Sequence, residues 1–478
     1  MDLFRKKSIT EFTVKKEGSL HKALGATDLT MLGIGCIIGT GIFVLTGVAA
    51  ATHAGPALVL SFIISGLACV FAALCYSEFA SSMPVTGSAY TYSYATFGEF
   101  MAWILGWAMI LEYGLAASAV ASGWSGYFQG LIGGFGIELP AAITSAYNAE
   151  KGTYIDIPAI VIVLLITFLL TRGIRESVKV NNIMVVLKVA VVLLFIVVGV
   201  WYVKPANWTP FMPFGFSGVA AGAASVFFAY LGFDAVASAA EEVRNPQRNM
   251  PIGIISSLAI CTLLYIVVSL ILTGIVPFTQ LEVKNPVAFA LSYIHQDWVA
   301  GFISLGAITG MTTVLLVLLY AQTRLFFAMS RDGLLPRAMS RVNPLTKTPV
   351  ANTWMTGTLA AVFGGLVPLS KLAELVNIGT LFAYLVVSGG VLVLRKTQPD
   401  LPRAFKVPFV PFIPILAILF CGYLIANLPS ITWIGFFVWL VLGAVVYFSY
   451  SYKNSVLSQQ SNMPQEAKKS YQAKEEVL

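Results

Sequence analysis

Twelve apolar runs follow one another along this chain, each ended by charged residues or by a proline- or glycine-rich break; they lie near 27–51, 56–80, 99–131, 157–173, 181–203, 217–240, 251–276, 298–323, 351–368, 372–394, 410–427 and 430–452. About 20 apolar residues match the thickness of a bilayer core, where every backbone amide has to be satisfied within the segment and a helix is the simplest solution. Only 11% of the residues are charged, whereas about a quarter are in soluble domains. The expectation is an all-α membrane protein with 12 transmembrane helices.

Lysine and arginine give this reading a direction, because the loops on the cytoplasmic side carry the excess of positive charge. The runs place Arg5, Lys15 and Lys22, then Arg172 and Lys179, Arg244 and Arg248, Arg324 to Lys347, Arg395 to Lys406, and the tail lysines on one face. The other face receives Lys151, Lys204, Lys284 and Lys371. Both termini are therefore expected in the cytoplasm of a multi-pass protein of the cell membrane, an inner or plasma membrane in contact with lipid. The organisation predicted is a cytoplasmic segment over 1–26, a first repeat over 27–203, a second over 217–394, two further spans over 410–452 and a cytoplasmic tail over 453–478. The formal charge of +7 follows from this topology and calls for no nucleic acid. No signal peptide is expected at the N-terminus. The five cysteines and three histidines show no metal or disulfide spacing, so no metal and no cofactor are predicted.

Two runs read as broken helices. The first contains Gly33-Ile34-Gly35-Cys36-Ile37-Ile38-Gly39-Thr40-Gly41, and each glycine weakens a helix by about 1 kcal/mol. The sixth carries Phe228-Ala229-Tyr230-Leu231-Gly232-Phe233-Asp234. At about 1.5 Å per residue both weak points fall near the bilayer midplane, reached from opposite faces, as in inverted-repeat transporters. A break at Gly39–Gly41 exposes N–H groups at the head of a half-helix, which suit a carboxylate. A break after Phe228 exposes carbonyls, which suit an ammonium. An α-amino acid carries both groups.

Charges inside the apolar runs cost at least about 2.5–3.5 kcal/mol each and mark candidate functional sites. Lys188, in the fifth run, is the candidate proton-coupling group, expected to donate to carbonyls of the broken first run near Gly33. Glu112 and Asp234 are candidates for anchoring the half-helices or touching substrate. Met311, Val314, Leu315 and Leu318 form one stripe of the eighth run, and Met311 and Leu318 are the residues of it carried forward as pocket candidates. An apolar stripe there favours a small neutral side chain over a guanidinium.

These residues resemble a known family. Ile38-Gly39-Thr40-Gly41-Ile42-Phe43, Tyr76-Ser77-Glu78-Phe79-Ala80 with Pro84-Val85-Thr86-Gly87, Glu241-Glu242-Val243-Arg244-Asn245-Pro246, and Arg331-Asp332-Gly333-Leu334-Leu335-Pro336 are similar to segments of the amino acid-polyamine-organocation superfamily, in its cationic amino acid transporter branch. The resemblance spans nearly the whole chain. It implies a LeuT-like 5+5 inverted repeat plus two C-terminal helices, working by alternating access. It further implies that Thr40 and Gly41 bind the substrate carboxylate, that carbonyls of Ile37, Phe228 and Leu231 bind the amine, that Phe228 is an aromatic gate, and that Lys188 stands where sodium-coupled relatives hold an ion.

The function expected is proton-coupled symport of small neutral L-amino acids such as alanine. Cationic amino acid transport, exchange of one amino acid for another, and a passive channel are the alternatives, though no filter-like motif supports the last. No catalytic cluster points to an enzyme. The sequence says nothing of a small accessory membrane subunit.

Overall fold

Proline and small polar residues punctuate the chain into helices. The structure, a computed structural model, describes residues 3–6, 24–83, 88–173, 178–238, 243–343, 346, 348–403 and 405–461. Lys15, Lys22, the motif residues 84–87, Arg175, Glu241, Glu242, Lys347 and the tail beyond Ser461 lie outside the described residues. The helices are α1 (Ala26–Ile37), α2 (the successive turns Gly41–Leu45, Thr46–Ala49 and Ala50–Ala54), α3 (Leu58–Ser82), α4 (Ser88–Thr96), α5 (Glu99–Gly133), α6 (Ile157–Thr171), α7 (Val178–Gly199) and α8 (Gly215–Val226, tightening into Phe227–Tyr230). They continue with α9 (Phe233–Ser238), α10 (Pro246–Ile275), α11 (Pro286–Tyr293), α12 (Asp297–Arg331), α13 (Val350–Leu366), α14 (Leu369–Thr397), α15 (Phe412–Ala426) and α16 (Ser430–Val446). α10 and α11 open on a proline, and α13, α14 and α16 start directly after one, where the missing N–H costs nothing.

Every apolar run of the sequence is helical, and the first and sixth are interrupted. Among the described residues seven helices are long and apolar enough to cross a membrane: Gly41–Ser82, Glu99–Gly133, Lys179–Tyr202, Pro246–Ile275, Asp297–Arg331, Leu369–Thr397 and Ser430–Asn454. Ala26–Ile37, Ile157–Thr171, Gly215–Tyr230 and Phe412–Ala426 are shorter apolar helices. Two of these short helices are halves of the broken runs.

The 35-residue α5 is the central post, flanked by α12, α13 and α14, while α10 packs on α1 and α3. Hydroxyls lock the first half of the sixth run to α3, Ser61 donating to Val219 O at 2.8 Å and Ser65 to Ala223 O at 2.7 Å. On another level Glu78, buried at the end of α3, accepts two bonds from Arg395 and one from the Val407 N–H, with Arg403 3.2 Å away. That carboxylate fastens α3 to the end of α14 and to the loop leading to α15.

The two broken runs touch at their breaks. A Cβ on Gly41 would sit 2.3 Å from Ala229 Cα, and Gly232, at φ +109°, would place a Cβ 2.7 Å from that of Cys36. Only hydrogen fits at either point. Gly41→Val therefore overpacks a backbone contact, for which about 1–3 kcal/mol is a typical cost. We expect a fall in melting temperature and in monodisperse yield for Gly41→Val, and neither for Gly422→Ala, whose Cβ meets open space; thermal unfolding in detergent measures both.

Candidate functional site

The interruptions arise where glycine removes helix propensity and ordinary residues leave the α region. α1 stops at Ile37, with Ile38 extended at φ −74°, ψ 102°, and winding resumes only at Thr40 and Gly41. The sixth run tightens at Phe227–Tyr230, turns extended at Leu231 (ψ 142°), passes through Gly232 and restarts as α9. The two breaks and the facing sides of α5 and α12 line one partly open cavity, in which the centre of a water molecule has about 50 Å³ to move.

Helix α5 contributes Glu112, Ala116 and Val120 to the lining, one residue per turn, together with Tyr113. Helix α12 contributes Val314, Val317, Leu318 and Ala321. Ile37, Thr40, Gly41, Phe228, Leu231 and Asp234 complete the wall, so nearly every residue singled out in the sequence meets at one cavity. Gly33 and Lys188 do not line it, and neither does Met311. It is fully buried behind Thr40, whose hydroxyl lies 3.2 Å from its sulfur, and it does not line the cavity. The α12 face is rotated so that Val314, Val317 and Leu318 take the place expected for it.

Chemically the cavity has distinct ends. Thr40 and Gly41 sit at the head of α2, where a helix start has N–H groups without intrahelical acceptors. Ile37 and Phe228 present carbonyls from the opposite ends. The Ile37 carbonyl already accepts one bond, from Tyr265 at 2.9 Å, and Phe228 O accepts the Leu231 N–H at 3.3 Å; each oxygen keeps a second lone pair. Aliphatic side chains of α5 and α12 line the cavity together with the carboxyl-bearing Glu112 and Asp234, with Tyr113 Oη 3.5 Å from Asp234.

Lys188 meets the broken first run from α7, outside the lining of the cavity. Its Nζ donates to Gly35 O at 2.6 Å, two residues along from Gly33, and its stem lies against Gly310 of α12. Gly33 itself packs on Ser257 and Val236. The expected acceptor is thus displaced by half a turn, because Gly35 is the residue whose Cα faces α7 at Val185 and Asn181.

Sequence reasoning missed Tyr265. Its hydroxyl lies 2.9 Å from Ile37 O and 2.8 Å from Ala229 O, so it stands between the two breaks. A phenol has one proton and can donate to one of these carbonyls at a time. Nothing in the local sequence sets it apart from other aromatic residues of an apolar run. Val314, Val317, Ala116 and Val120 were missed in part, and for the last two the four-residue spacing from Glu112 was the available signal.

The second half of the first run is held from several sides. Tyr127 on α5 donates to Phe43 O at 2.8 Å, Thr40 fits the notch at Gly123, and Pro286 of α11 closes on Gly47.

The sequence over residues 24–446 matches the family model of the amino acid permeases. A branched-chain amino acid permease of Bacillus subtilis is 60% identical over 462 residues, 96% of this chain and 99% of the relative. A methylthioribose transporter of the same organism is 56% identical over 457 residues, covering 95% and 99%. Cationic amino acid transporter 4, vacuolar, of Arabidopsis thaliana is 40% identical over 407 residues, covering 83% and 68%. With a family match over most of its length and relatives that are named permeases and transporters rather than enzymes, this chain belongs to the amino acid permease family of the amino acid-polyamine-organocation superfamily and is an integral membrane transporter.

Proposed function

We propose that this protein is a secondary active transporter that carries neutral aliphatic amino acids, from alanine to the branched-chain residues, by alternating access and together with a proton. The observation that carries this reading is the meeting of two helix breaks at one cavity, N–H groups of Thr40 and Gly41 on one side and carbonyls of Ile37, Phe228 and Leu231 on the other, beside a wall of Ala116, Val120, Val314, Val317 and Leu318. The first two sets match the poles of a zwitterion, and the wall matches an alkyl side chain. In this reading the apolar runs are twelve spans, arranged as 27–203 and 217–394 in inverted relation with 410–452 added, and both termini face the cytoplasm of the cell membrane.

Lys188 is the proton-coupling group. Charged, it donates to Gly35 and holds α1 against α7 and α12. Neutral, the amine loses its charge-assisted bond, which is about twice as strong as a neutral one, and α1 is released towards the cytoplasm. Tyr265 is a positioning residue that keeps the two breaks in register.

A second reading has one observation in its favour. The branched-chain permease and methylthioribose transporter of Bacillus subtilis are almost equally similar to this chain. Glu112 and Asp234 line the cavity with carboxyl groups such as can accept bonds from vicinal hydroxyls. A thioether sugar would put its alkyl end on the aliphatic wall and its hydroxyls on those carboxyl groups.

The deciding experiment is uptake into proteoliposomes of labelled alanine, leucine and arginine, with and without an inward proton gradient, and with excess methylthioribose as competitor. The expected result is saturable alanine and leucine uptake that collapses with the gradient, little arginine uptake and weak competition by the sugar. Gradient-independent uptake that needs amino acid inside would replace symport by exchange, and strong sugar competition would favour the second reading.

Two variants sharpen it. Lys188→Ala should abolish accumulation driven by an imposed pH gradient, by at least about tenfold, corresponding to about 1.4 kcal/mol; retention of gradient-driven uptake removes Lys188 from this role. Ala116→Val narrows the cavity beside the wall. It should reduce leucine uptake by about tenfold while alanine uptake falls less, consistent with the worth of one methylene in a pocket; an equal loss for both substrates would show that the wall does not contact the side chain.

A further inference from the structure

Away from the cavity, a chain of polar side chains joins three segments on the outer end of α5. Lys284, in the loop that leads into α11, donates to Gln129 Oε1 at 3.0 Å and to Thr144 O at 2.8 Å. Gln129 Nε2 donates in turn to Ser125 Oγ at 2.7 Å and to Thr144 O at 2.7 Å. Ser125 Oγ donates to Asp156 Oδ1 at 2.5 Å, and the same oxygen accepts the Ala159 N–H at the start of α6. The bonds run in one direction. Each donor hands on from the ammonium, through an amide and a hydroxyl, to the carboxyl of Asp156, an order that its ionised form, an acceptor only, suits best.

We propose that this chain is a pH-sensitive outer latch: ionised Asp156 fixes Lys284 and so holds α11 over the second half of the first run, and protonation of Asp156 releases it. α11 is the element that closes on α2, through Pro286 against Gly47. The backbone at Lys284 lies on Gly126 of α5, and Asn285 fits against Gly130, so the loop is seated on a strip without side chains. Lys284 is the charged anchor of that seat.

Asp156 caps α6 just outside its apolar span, and burial pushes its carboxyl up from the ordinary carboxylate range to about 6, against the opposing pull of Ser125, the Ala159 N–H and Lys284. Among the described residues the charged groups facing this cluster are Lys284 on Asp156, and Asp156 with Lys151 on Lys284. α5 brings only Ser125 and Gln129, and α13 meets the site through Gly365 O, which accepts the Asp156 N–H.

The sign follows from what moves. Burial of Asp156 comes from α5, α6 and α13, which stay in place when the α11 loop lifts. Lifting it takes away Lys284, which favours the ionised form, so the carboxyl titrates higher in the released state than in the latched one. The latch is therefore held at pH well above 6 and lost as the outer pH falls through about 6.

The idea that this is the side of substrate entry rests on the transport reading above; the latch itself is tested without transport. Hydrogen–deuterium exchange of the purified full-length protein, corrected for intrinsic rates, is followed over residues 281–294 at pH 7.5 and 5.5. Exchange there should rise at least about threefold on acidification, as local opening becomes easier. Asp156→Asn, which keeps the cap but not the charge, should show the raised exchange at both pH values. Lys284→Gln should do the same, and it lies outside the α6 cap should Asp156→Asn fail to fold. No pH step in the natural protein, or an undiminished step in either variant, would overturn the proposal. A latch that behaves as described beside absent amino acid uptake would instead count against the transport reading alone.

Discussion

A helix interrupted among apolar neighbours leaves peptide groups that cannot turn to water, and an unmatched buried polar group costs about 1–3 kcal/mol. Everything near the cavity is arranged around that constraint. Lys188 serves Gly35 O, Tyr265 serves Ile37 O and Ala229 O, and Asn377 of α14 serves Ala224 O and Ser225 O just before the break in the sixth run. The partners come from α7, α10 and α14. The breaks are thus held by helices outside the broken pair, which fixes where the half-helices end without joining them into one rod.

This division of labour separates two kinds of polar group. Those between α3 and the first half of the sixth run, Ser61 and Ser65, and those around Glu78 tie whole helices together and involve short side chains or a carboxylate with several donors. Those at the breaks reach backbone carbonyls from other helices, Lys188 at Gly35, Tyr265 between Ile37 and Ala229, and Asn377 at Ala224 and Ser225.

Much of this was legible in the sequence, and the rest was hidden for identifiable reasons. Glycine density and apolar length are properties of a segment, so the breaks at Ile38–Thr40 and Leu231–Gly232 and the helical runs could be read locally. Lys188 could be read because a charge in an apolar run is conspicuous wherever it points. Which carbonyl it meets depends on the rotation of α1 about its axis, and a shift of two residues separates Gly33 from Gly35. The same rotation on α12 put Met311 behind Thr40 and brought Val317 to the cavity. Tyr265 gave no local signal at all, since its role comes from a crossing of α10 over both breaks. The polar chain from Lys284 to Asp156 joins positions far apart in sequence, and no spacing rule relates them.

The position of Lys188 has a mechanical consequence that follows from the contacts alone. Its Nζ holds α1, its stem lies along Gly310 of α12, and its backbone belongs to α7. A change at the ammonium is therefore felt by the short helix below the break and not by the long helices that carry the stem, because α1 has 12 residues and an end at Ile37 whereas α12 runs for 35. The second half of the same run is clamped separately, by Tyr127, Gly123 and Pro286. The extended Ile38 and the bend at Gly39 lie between the two clamps, so no continuous helix joins them. A continuous helix through Thr40 would couple them, and opening one side would drag the other with it.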